Sequence, residues 1–342
     1  MTSTTRRRLL TATAASLLLG RGGSGHGAPR EVTDMAGRRV AIPARLERIA
    51  SAGGSPAVNA FLFLFGLGPR IVTGLPAAFQ APAWRLQRYF APGIASLPAV
   101  SGPPPAWTPN VEALLALRPD IAFVVSEPAA AILARAGLPA IVLNWDRPDG
   151  VERTIRLLAE IFAAEPRARD YFAWESDLRS RIARRLGQPA WRPRVLYMRY
   201  STLSQPIMLP ANQMIERAGG LSVTAGDNPL GLDVYPFSIE QILAWQPEVI
   251  LLAFAEEAGK LAADPRLATL PAMRSRRIHG VPHGAHIWTH YTPEHPLGVL
   301  WLARLLHPEQ LADQDLRREA DYFYRHFFGR ALPEDELARL TG

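Results

Sequence analysis

Residues 285–298, AHIWTHYTPEHPLG, concentrate side chains that bind metals or aromatic ligands. Three histidines, a glutamate, a tryptophan and a tyrosine occur within this stretch. His286 and His290 would share one face of a helix, but Pro293 and Pro296 predict a loop with a helix beginning near Pro296. The order of residues also differs from the His-Glu-x-x-His pattern of metalloproteases. The stretch therefore predicts a loop that binds a metal or contacts a ligand containing one.

The positions of the other histidines help to decide between these two possibilities. Seven of the eight histidines lie beyond residue 278, and the chain has no cysteine. A bare transition-metal ion held between two halves of a protein needs imidazole or thiolate from both sides. No histidine or cysteine occurs between residues 27 and 278, so the first half of the chain beyond that point offers neither. We therefore expect a ligand that already holds its metal. His290 and Tyr291 would complete the coordination, and Trp288 would stack on the chelate.

Short apolar runs bounded by Gly, Pro or Asp recur along the chain, and helical patterns follow them. Continuous apolar runs are typical of parallel strands that helices cover on both faces. The runs form two sets separated by a long helical stretch, which predicts two α/β lobes. The predicted strands are 48–53, 71–75, 121–126 and 140–145 in the first lobe, and 194–200, 249–254 and 277–282 in the second.

Residues 150–187 divide these two sets of strands. An apolar stripe at helical spacing covers residues 151–162. Pro166 suits the first turn of a second helix, and Gly187 suits its end. Roughly 20 helical residues at 1.5 Å each make a rod of about 30 Å, which would join the lobes stiffly.

A faint internal repeat places the same unit in each lobe. NVEALLALRPDIAFV at 110–124 aligns without gaps with SIEQILAWQPEVILL at 238–252. Glu112 and Glu240 occupy the same place in the two copies, in the first turn of a helix. An acid there stabilises the helix by about 0.3–1 kcal/mol through the helix dipole. Two such carboxylates on similar lobes could also bind a two-fold symmetric partner that carries arginines.

Three parts of the sequence together point to a known family. They are VTDMAGRRVAIPARLERIASAGGSPAVNAFLFLFGLGPRIVTG (32–74), the two repeat copies, and HPLGVLWLARLLHPE (295–309). In this order they resemble the periplasmic Fe/B12-type binding proteins of ABC importers, which carry ferric siderophores, haem, cobalamin or related chelates. The resemblance implies a class III fold: two Rossmann-like lobes with parallel sheets, joined by one long α-helix, with the ligand in the cleft between them.

The resemblance also implies partners. Glu112 and Glu240 match the glutamates that dock on arginines of a dimeric ABC permease in the inner membrane. A small-molecule metal chelate would be the ligand. We expect a monomeric binding protein with no cofactor of its own, no enzymatic activity and no nucleic-acid partner.

Candidate ligand contacts follow from positions near strand ends, because open α/β sheets bind ligands at the carboxyl ends of their strands. In the first lobe, GGSPAVN (53–59) allows close backbone approach and leads into a helix N-terminus that can hold an anionic group. Aromatic rings can stack on a chelate, and arginines can pair with its carboxylates or catecholates. The predicted ligand-binding residues are Ser55, Trp84, Arg88, Trp107, Arg199, Tyr200, Tyr235, Trp288, His290 and Tyr291.

The N-terminus has the layout of an export signal. In TSTTRRRLLTATAASLLLG, an arginine cluster precedes an apolar run that is too short for a permanent membrane span. The arginine cluster resembles a twin-arginine signal, and we expect a soluble periplasmic protein. The predicted divisions are a signal peptide at 1–28, an N-terminal lobe at 29–149, connecting helices at 150–187, a C-terminal lobe at 188–310 and C-terminal helices at 311–342.

Several ligand classes remain open. The aromatic and histidine content at 288–291 favours an iron complex, either a ferric siderophore or haem; the alternatives are a nickel or cobalt chelate, a corrinoid or a molybdate-type oxyanion. A serine hydrolase using Ser55 is a remote alternative, because residues 53–57 match a nucleophile elbow only loosely. The net charge of +7 includes four arginines of the leader, and no basic run is interleaved with aromatics, which argues against nucleic-acid binding.

Overall fold

The computed structural model describes residues 30–103, 106–145, 147–226 and 234–342. The predicted signal peptide at 1–28 lies outside these residues. Within them, the chain forms two α/β lobes, each built on its own parallel sheet. The predicted two-lobed α/β fold is therefore confirmed.

The N-terminal lobe has a parallel sheet in the strand order β3-β4-β5, preceded by an antiparallel hairpin of β1 and β2 that sequence analysis did not predict. The predicted strand at 71–75 forms only isolated bridges, through Ile71 and Gly74. The strands are β1 (Arg30–Thr33), β2 (Arg39–Ile42), β3 (Ile49–Ser51), β4 (Ile121–Val124) and β5 (Ala140–Val142). The α-helices are α1 (Ser55–Leu64), α2 (Arg85–Phe90), α3 (Val111–Leu117) and α4 (Glu127–Arg135).

Two helices lead from this lobe to the next, α5 (Gly150–Phe162) and α6 (Glu165–Leu186). Ala163, in the left-handed conformation at φ 50°, ends α5, and Pro166 lies in the first turn of α6. Gly187 ends α6 at the position expected from the sequence. With 22 residues, α6 is about 33 Å long.

The C-terminal lobe has a four-stranded parallel sheet in the order β11-β10-β6-β8 and a separate antiparallel pair, β7 with β9. Sequence analysis predicted β6, β10 and β11 but not β7, β8 or β9. The strands are β6 (Arg194–Met198), β7 (Ser204–Pro206), β8 (Leu221–Ser222), β9 (Val234–Pro236), β10 (Val249–Leu252) and β11 (Ile278–Gly280). The α-helices are α7 (Met208–Arg217), α8 (Ile239–Trp245), α9 (Ala258–Ala262), α10 (Pro271–Arg274) and α11 (His295–Leu306).

Two C-terminal helices, α12 (Leu316–Phe327) and α13 (Glu334–Thr341), return to the N-terminal lobe. Arg85 of α2 forms an ion pair with Glu336 of α13, and the Tyr89 hydroxyl donates to the carbonyl of Ala331. Rings of α6 and α12 also pack together: Trp174 lies 5.1 Å from Phe323, measured between ring centroids. These contacts join the C-terminal helices to the N-terminal lobe and to α6, and Tyr324 of α12 bonds to Glu294 in the C-terminal lobe, so the helices connect the two lobes.

The internal repeat folds as two equivalent units. The side chains of Asn110 and Ser238 cap α3 and α8 by accepting hydrogen bonds from backbone N–H groups, as the sequence predicts. Both helices end at a left-handed residue with φ 45°, Arg118 in one and Gln246 in the other. The structure thus gives the two copies the same start and the same end.

A matching clasp fastens each of these helices to the start of a strand in its own lobe. The side chain of Arg48, just before β3, donates to the last carbonyl of α3 at 2.7 Å, and that of Arg194, the first residue of β6, donates to the last carbonyl of α8 at 2.8 Å. Asp120 and Glu248 return the contact by accepting from the backbone N–H of Arg48 and Arg194, at 2.8 Å each. The last turns of α3 and α8 are therefore fastened to their own lobes by the same contacts.

Candidate ligand-binding site

A cavity of about 480 Å³ lies between the two lobes, at the carboxyl ends of both parallel sheets. Residues that closely follow strands form its walls: Gly54, Val125 and Trp145 from the N-terminal lobe, and Arg199 and Phe254 from the other. This volume is within the range of about 300–1,000 Å³ that is usual for small-molecule sites. The remaining lining residues are Pro56, Ala57, Phe79, Trp84, Trp107, Leu143, Asn144, Tyr197, Pro206, Ile207, Ala253, His283, His286, Ile287 and His290.

Two histidines face each other in this cavity. The ring centroids of His286 and His290 are 4.5 Å apart, with the ring planes at 72°. Nδ1 of His286 lies 3.4 Å from the carbonyl oxygen of Ile287, and donation there leaves Nε2 with a free lone pair. A backbone acceptor on the other nitrogen is the usual way in which a metal-binding imidazole is oriented.

Burial keeps these imidazoles neutral. It lowers the pKa of His290 to about 4 and that of His286 well below the usual 6.5. His283, at the edge of the pair, also has a lowered pKa because of burial, and its Nε2 donates to the carbonyl of Ala253 at 2.7 Å. Neutral imidazole is the form that binds a metal ion.

A buried carboxylate holds the backbone of the loop that carries these histidines. Glu294, with no exposed surface, accepts hydrogen bonds from the backbone N–H of Ala285 and of His286, both at 2.8 Å, and from the Tyr324 hydroxyl at 2.6 Å. Burial outweighs these bonds and raises the pKa of Glu294 to about 7. A Cβ at Gly284 would overlap Glu294 and Tyr324, so this close approach requires glycine.

Aromatic rings make up much of the opposite wall. Phe79 and Trp107 stack at 5.7 Å with an interplanar angle of 13°, and Trp84 lies edge-on to Phe79 at 4.9 Å. Trp84 also lies 5.0 Å from the ring of His286, so it bridges the two lobes. Such rings can stack on a planar or aromatic ligand.

The charges around the cavity favour an anionic ligand. No carboxylate lines it among the described residues, and Arg199, whose guanidinium carbon lies 5.0 Å from the centre of the Phe254 ring, is the permanently charged side chain. Helices α1 and α7 also begin at the cavity without a side-chain cap, after Gly54 and Ile207 in the left-handed conformation. Their N-termini add positive potential.

A bare metal ion does not fit this arrangement. In the part of the chain that the structure describes, no group of three or more His, Asp or Glu residues is placed to hold a metal ion. Two neutral imidazoles supply too few ligands for a transition ion and no negative charge to balance it. They do suit a metal whose other coordination positions are filled by its own chelator.

Four of the ten residues predicted to bind ligand line the cavity: Trp84, Trp107, Arg199 and His290. Trp288 was expected beside them, but it is fully buried, and Gly298 of α11 packs against it. The loop directs His286 and His290 into the cavity and turns Trp288 into the core of the C-terminal lobe.

Tyr291 was expected to complete a metal site with His290, but it does not line the main cavity. Its ring lies in a smaller recess of about 140 Å³ that it shares with His290 and the start of α7. Burial raises the pKa of Tyr291 to about 12, which disfavours the phenolate that Fe(III) binds. His286, which sequence analysis did not select as a ligand contact, lines the main cavity together with His290.

Two predicted contacts in the N-terminal lobe lie outside the cavity lining. Ser55 is buried, and its hydroxyl donates to the carbonyl of Ser51 at 3.3 Å. Arg88 turns along the surface and donates to the carbonyl of Gln80 at 2.7 Å. Neighbouring residues, Gly54 and Pro56, line the cavity instead of Ser55.

Two predicted tyrosines of the C-terminal lobe also bond elsewhere. The Tyr200 hydroxyl donates to Asp264 at 2.7 Å. The Tyr235 hydroxyl accepts from the Gln241 side chain at 3.4 Å, beside the N-terminus of α8. Both are half-buried outside the cavity lining.

Sequence reasoning missed Trp145 and Phe254 as well. Each is the last residue of a predicted strand and lies two or three residues beyond the end of the observed one, so strand-end position was a usable signal for both. The predicted docking residues Glu112 and Glu240 are exposed in the first turns of α3 and α8.

The chain is similar to known binding proteins in both sequence and structure. Residues 91–283 match the model of a family described as periplasmic binding protein. The molybdate-binding protein MolA of Haemophilus influenzae is 28% identical over 258 residues, covering 67% of this chain and 73% of MolA. A periplasmic solute binding protein of Veillonella parvula has a TM-score of 0.79 at 21% identity, over 92% of this chain and 97% of its own. CeuE of Helicobacter pylori with Ni(II) bound has a TM-score of 0.72 at 19% identity, over 92% and 100%.

Among the helices in the described part of residues 30–342, none is both long and apolar enough to cross a membrane.

Proposed function

The chain belongs to the periplasmic binding protein family, and on this premise we propose that it captures an anionic metal chelate in the cavity between its lobes. The resemblance seen in the sequence is thereby confirmed. The family and the relatives are substrate-binding proteins of ABC importers, so the protein is a binding protein and not an enzyme. This membership implies a periplasmic location and a membrane permease as partner.

The facing pair of His286 and His290 carries the proposal. Two imidazoles whose centroids are 4.5 Å apart can each place a nitrogen about 2.0–2.1 Å from a shared metal, the usual bond length to histidine. They would fill two adjacent coordination positions, and the chelator would fill the rest. Arg199 would pair with an anionic group of the chelator, and Trp84 and Trp107 would stack on its rings.

This arrangement distinguishes among iron complexes. Haem offers its open positions on opposite faces of the macrocycle, so two histidines on the same side cannot both bind its iron. A ferric siderophore or similar chelate with two adjacent open positions fits the pair. A nickel chelate of the same geometry is equally compatible, and the fold is shared with a Ni(II)-bound protein.

An oxyanion is the second candidate, because the relative with 28% identity is a molybdate-binding protein. Arg199 and the uncapped starts of α1 and α7 could donate to its oxygens. Against it stands the size of the site: four oxygens occupy about as much room as four waters, about 120 Å³, in a cavity of about 480 Å³. Neutral histidines also add no charge attraction for a dianion.

Delivery to the permease rests on Glu112 and Glu240. Both are exposed in the first turns of α3 and α8, and equivalent clasps fasten the ends of these two helices to their lobes. We propose that they dock on arginines of a two-fold symmetric permease while the protein is a monomer. Because α6 and the C-terminal helices connect the lobes, ligand would enter a largely preformed cavity.

Substitution of the two histidines tests the proposal. His286→Ala and His290→Ala should each lower affinity for Fe(III)– or Ni(II)–nitrilotriacetate by at least about tenfold, measured by calorimetry. Both probes leave two adjacent coordination positions open, and the Ni(II) complex is also anionic. His326→Ala, which removes an exposed histidine of α12, is the matched control and should bind normally. Unchanged affinity in both cavity variants, or tight binding of molybdate that neither variant weakens, would refute metal coordination by this pair.

A further inference from the structure

Gln87 of α2 is a fully buried amide whose two N–H groups are both committed. Its Nε2 donates to the carbonyl of Pro56 at 2.9 Å and to the carbonyl of Ala285 at 2.6 Å. Its Oε1 accepts from Asn59 Nδ2 at 2.8 Å, which fixes the direction in which the amide points. A side chain with three such bonds in the interior has essentially one orientation.

The two carbonyls belong to opposite walls of the cavity. Pro56 lies in the first turn of α1, in the N-terminal lobe, and lines the cavity itself. Ala285 lies in the histidine loop of the C-terminal lobe, immediately before His286. One amide group therefore spans the two lobes next to the ligand site.

The segment that Gln87 holds is also held from the far side. Glu294 accepts from the N–H groups of Ala285 and His286. In the peptide group between these two residues, the carbonyl therefore bonds to Gln87 of the N-terminal lobe and the N–H bonds to Glu294 of the C-terminal lobe. The backbone of His286 has little freedom to move toward or away from His290.

We propose that Gln87 is a positioning residue that sets the gap between the two cavity walls and thereby aims His286 at the bound chelate. The orientation of His286 toward a chelate rests on the proposed function, whereas the control of the gap between the walls does not. Residues that orient a metal-binding histidine without touching the metal typically change metal affinity by about 10–100-fold when they are replaced.

Other contacts between the lobes limit the effect to the site. Arg85 and Tyr89, on the same short helix, remain bonded to the C-terminal segment when Gln87 is replaced. Loss of the Gln87 bonds should therefore loosen the cavity while the two sheets stay folded.

The first test is Gln87→Met, which keeps the length of the side chain and removes both donors. We expect affinity for Cu(II)–nitrilotriacetate to fall by about 10–100-fold. The imidazole nitrogen couplings in its electron paramagnetic resonance spectrum should drop from two nitrogens toward one. Gln80→Met is the matched control, because that exposed amide donates to the carbonyl of Leu75 within one lobe. Gln87→Glu, which retains the acceptor for Asn59 but has no N–H, is the second variant should the first fail to fold.

The second test measures the gap itself. The chain has no cysteine, so Leu115→Cys and Leu221→Cys, at exposed positions of the two lobes, can be spin-labelled cleanly. We expect a narrow distance distribution that broadens with Gln87→Met but not with Gln80→Met. A folded Gln87 variant with the original affinity, couplings and distances would overturn the proposal. If the unsubstituted protein binds no chelate, the proposed function fails, and the distances still decide the role of Gln87.

Discussion

Acid should leave chelate binding nearly unchanged down to about pH 5, because the two cavity histidines resist protonation. A metal competes with protons for imidazole nitrogen. Burial lowers the pKa of His290 to about 4, and that of His286 well below 6.5. At pH 5 a group with a pKa of about 4 is still about 90% neutral, whereas an ordinary imidazole with a pKa of about 6.5 is only about 3% neutral.

These fractions give a clear difference in affinity. His290 should weaken binding by only about 1.1-fold between pH 8 and pH 5, and His286, whose pKa also lies well below 6.5, should contribute little. An imidazole with an unshifted pKa would weaken binding by about 30-fold over the same range. Below about pH 4 the loss should become steep. In the folded protein the pKa of His290 is about 4, below its unfolded value. The neutral imidazole, which is the form that binds metal, therefore predominates at every pH above about 4 and is lost only as the pH falls through that value.

Titration with Ni(II)–nitrilotriacetate at a series of pH values measures this dependence. A short polyhistidine peptide, whose imidazoles are exposed, reports the behaviour of the probe itself, and circular dichroism confirms that the protein stays folded. A loss of about 30-fold or more by pH 5 would show that the imidazoles are not buried as the structure has them. Binding that strengthens on acidification would refute metal coordination and favour an oxyanion, because imidazolium attracts anions.

Two further predictions concern buried and exposed carboxylates. The pKa of Glu294 is raised to about 7, so its contribution to stability is complete below about pH 4.5 and is lost as the pH rises through 7. Relative to Glu294→Gln, the free energy of unfolding of the unsubstituted protein, measured in urea, should fall by about 2.5 kcal/mol between pH 5 and pH 8. A stability difference between the two proteins that does not depend on pH would contradict this. Replacing Glu112 and Glu240 together by alanine should stop uptake of the chelate by cells and leave the affinity of the purified protein for the chelate unchanged. Glu127→Ala, which removes an exposed acid from the first turn of α4, should affect neither. Loss of chelate affinity in the double variant would argue against a docking role for the two glutamates.

The fold could be predicted largely because buried parallel strands leave a strong trace in sequence. All residues of β3, β4 and β5 are buried, so β4 and β5 appear as unbroken apolar runs and β3 is apolar up to Ser51 at its end. The hairpin of β1 and β2 has exposed charged residues and leaves no such run. The ungapped repeat also predicted, correctly, that α3 and α8 are equivalent.

The site was harder to predict because the side chains of a loop have no fixed period. Within the histidine loop, His286 and His290 face the cavity, while Trp288 faces the core. The direction of each depends on Glu294 and Gln87, whose bonds join residues from distant parts of the chain. No spacing rule within the loop contains that information.

A one-residue error in α2 has the same origin. Arg88 was selected as a ligand contact for its charge, yet Gln87 is the residue that reaches the cavity walls. Adjacent residues point about 100° apart on a helix, so the face of α2 that meets the C-terminal lobe decides which of them is buried. That face is set by packing against the other lobe, which a short helix does not reveal by its own pattern.

The most direct measurement is metal analysis and absorbance of the protein isolated, without added chelators, from the periplasm of cells that make it. Capture of a chelate by His286 and His290 predicts about one equivalent of iron or nickel held with an organic chelator, with two imidazole nitrogens on the metal by X-ray absorption. Molybdenum without a first-row metal, or the absorption spectrum of haem, would contradict the account.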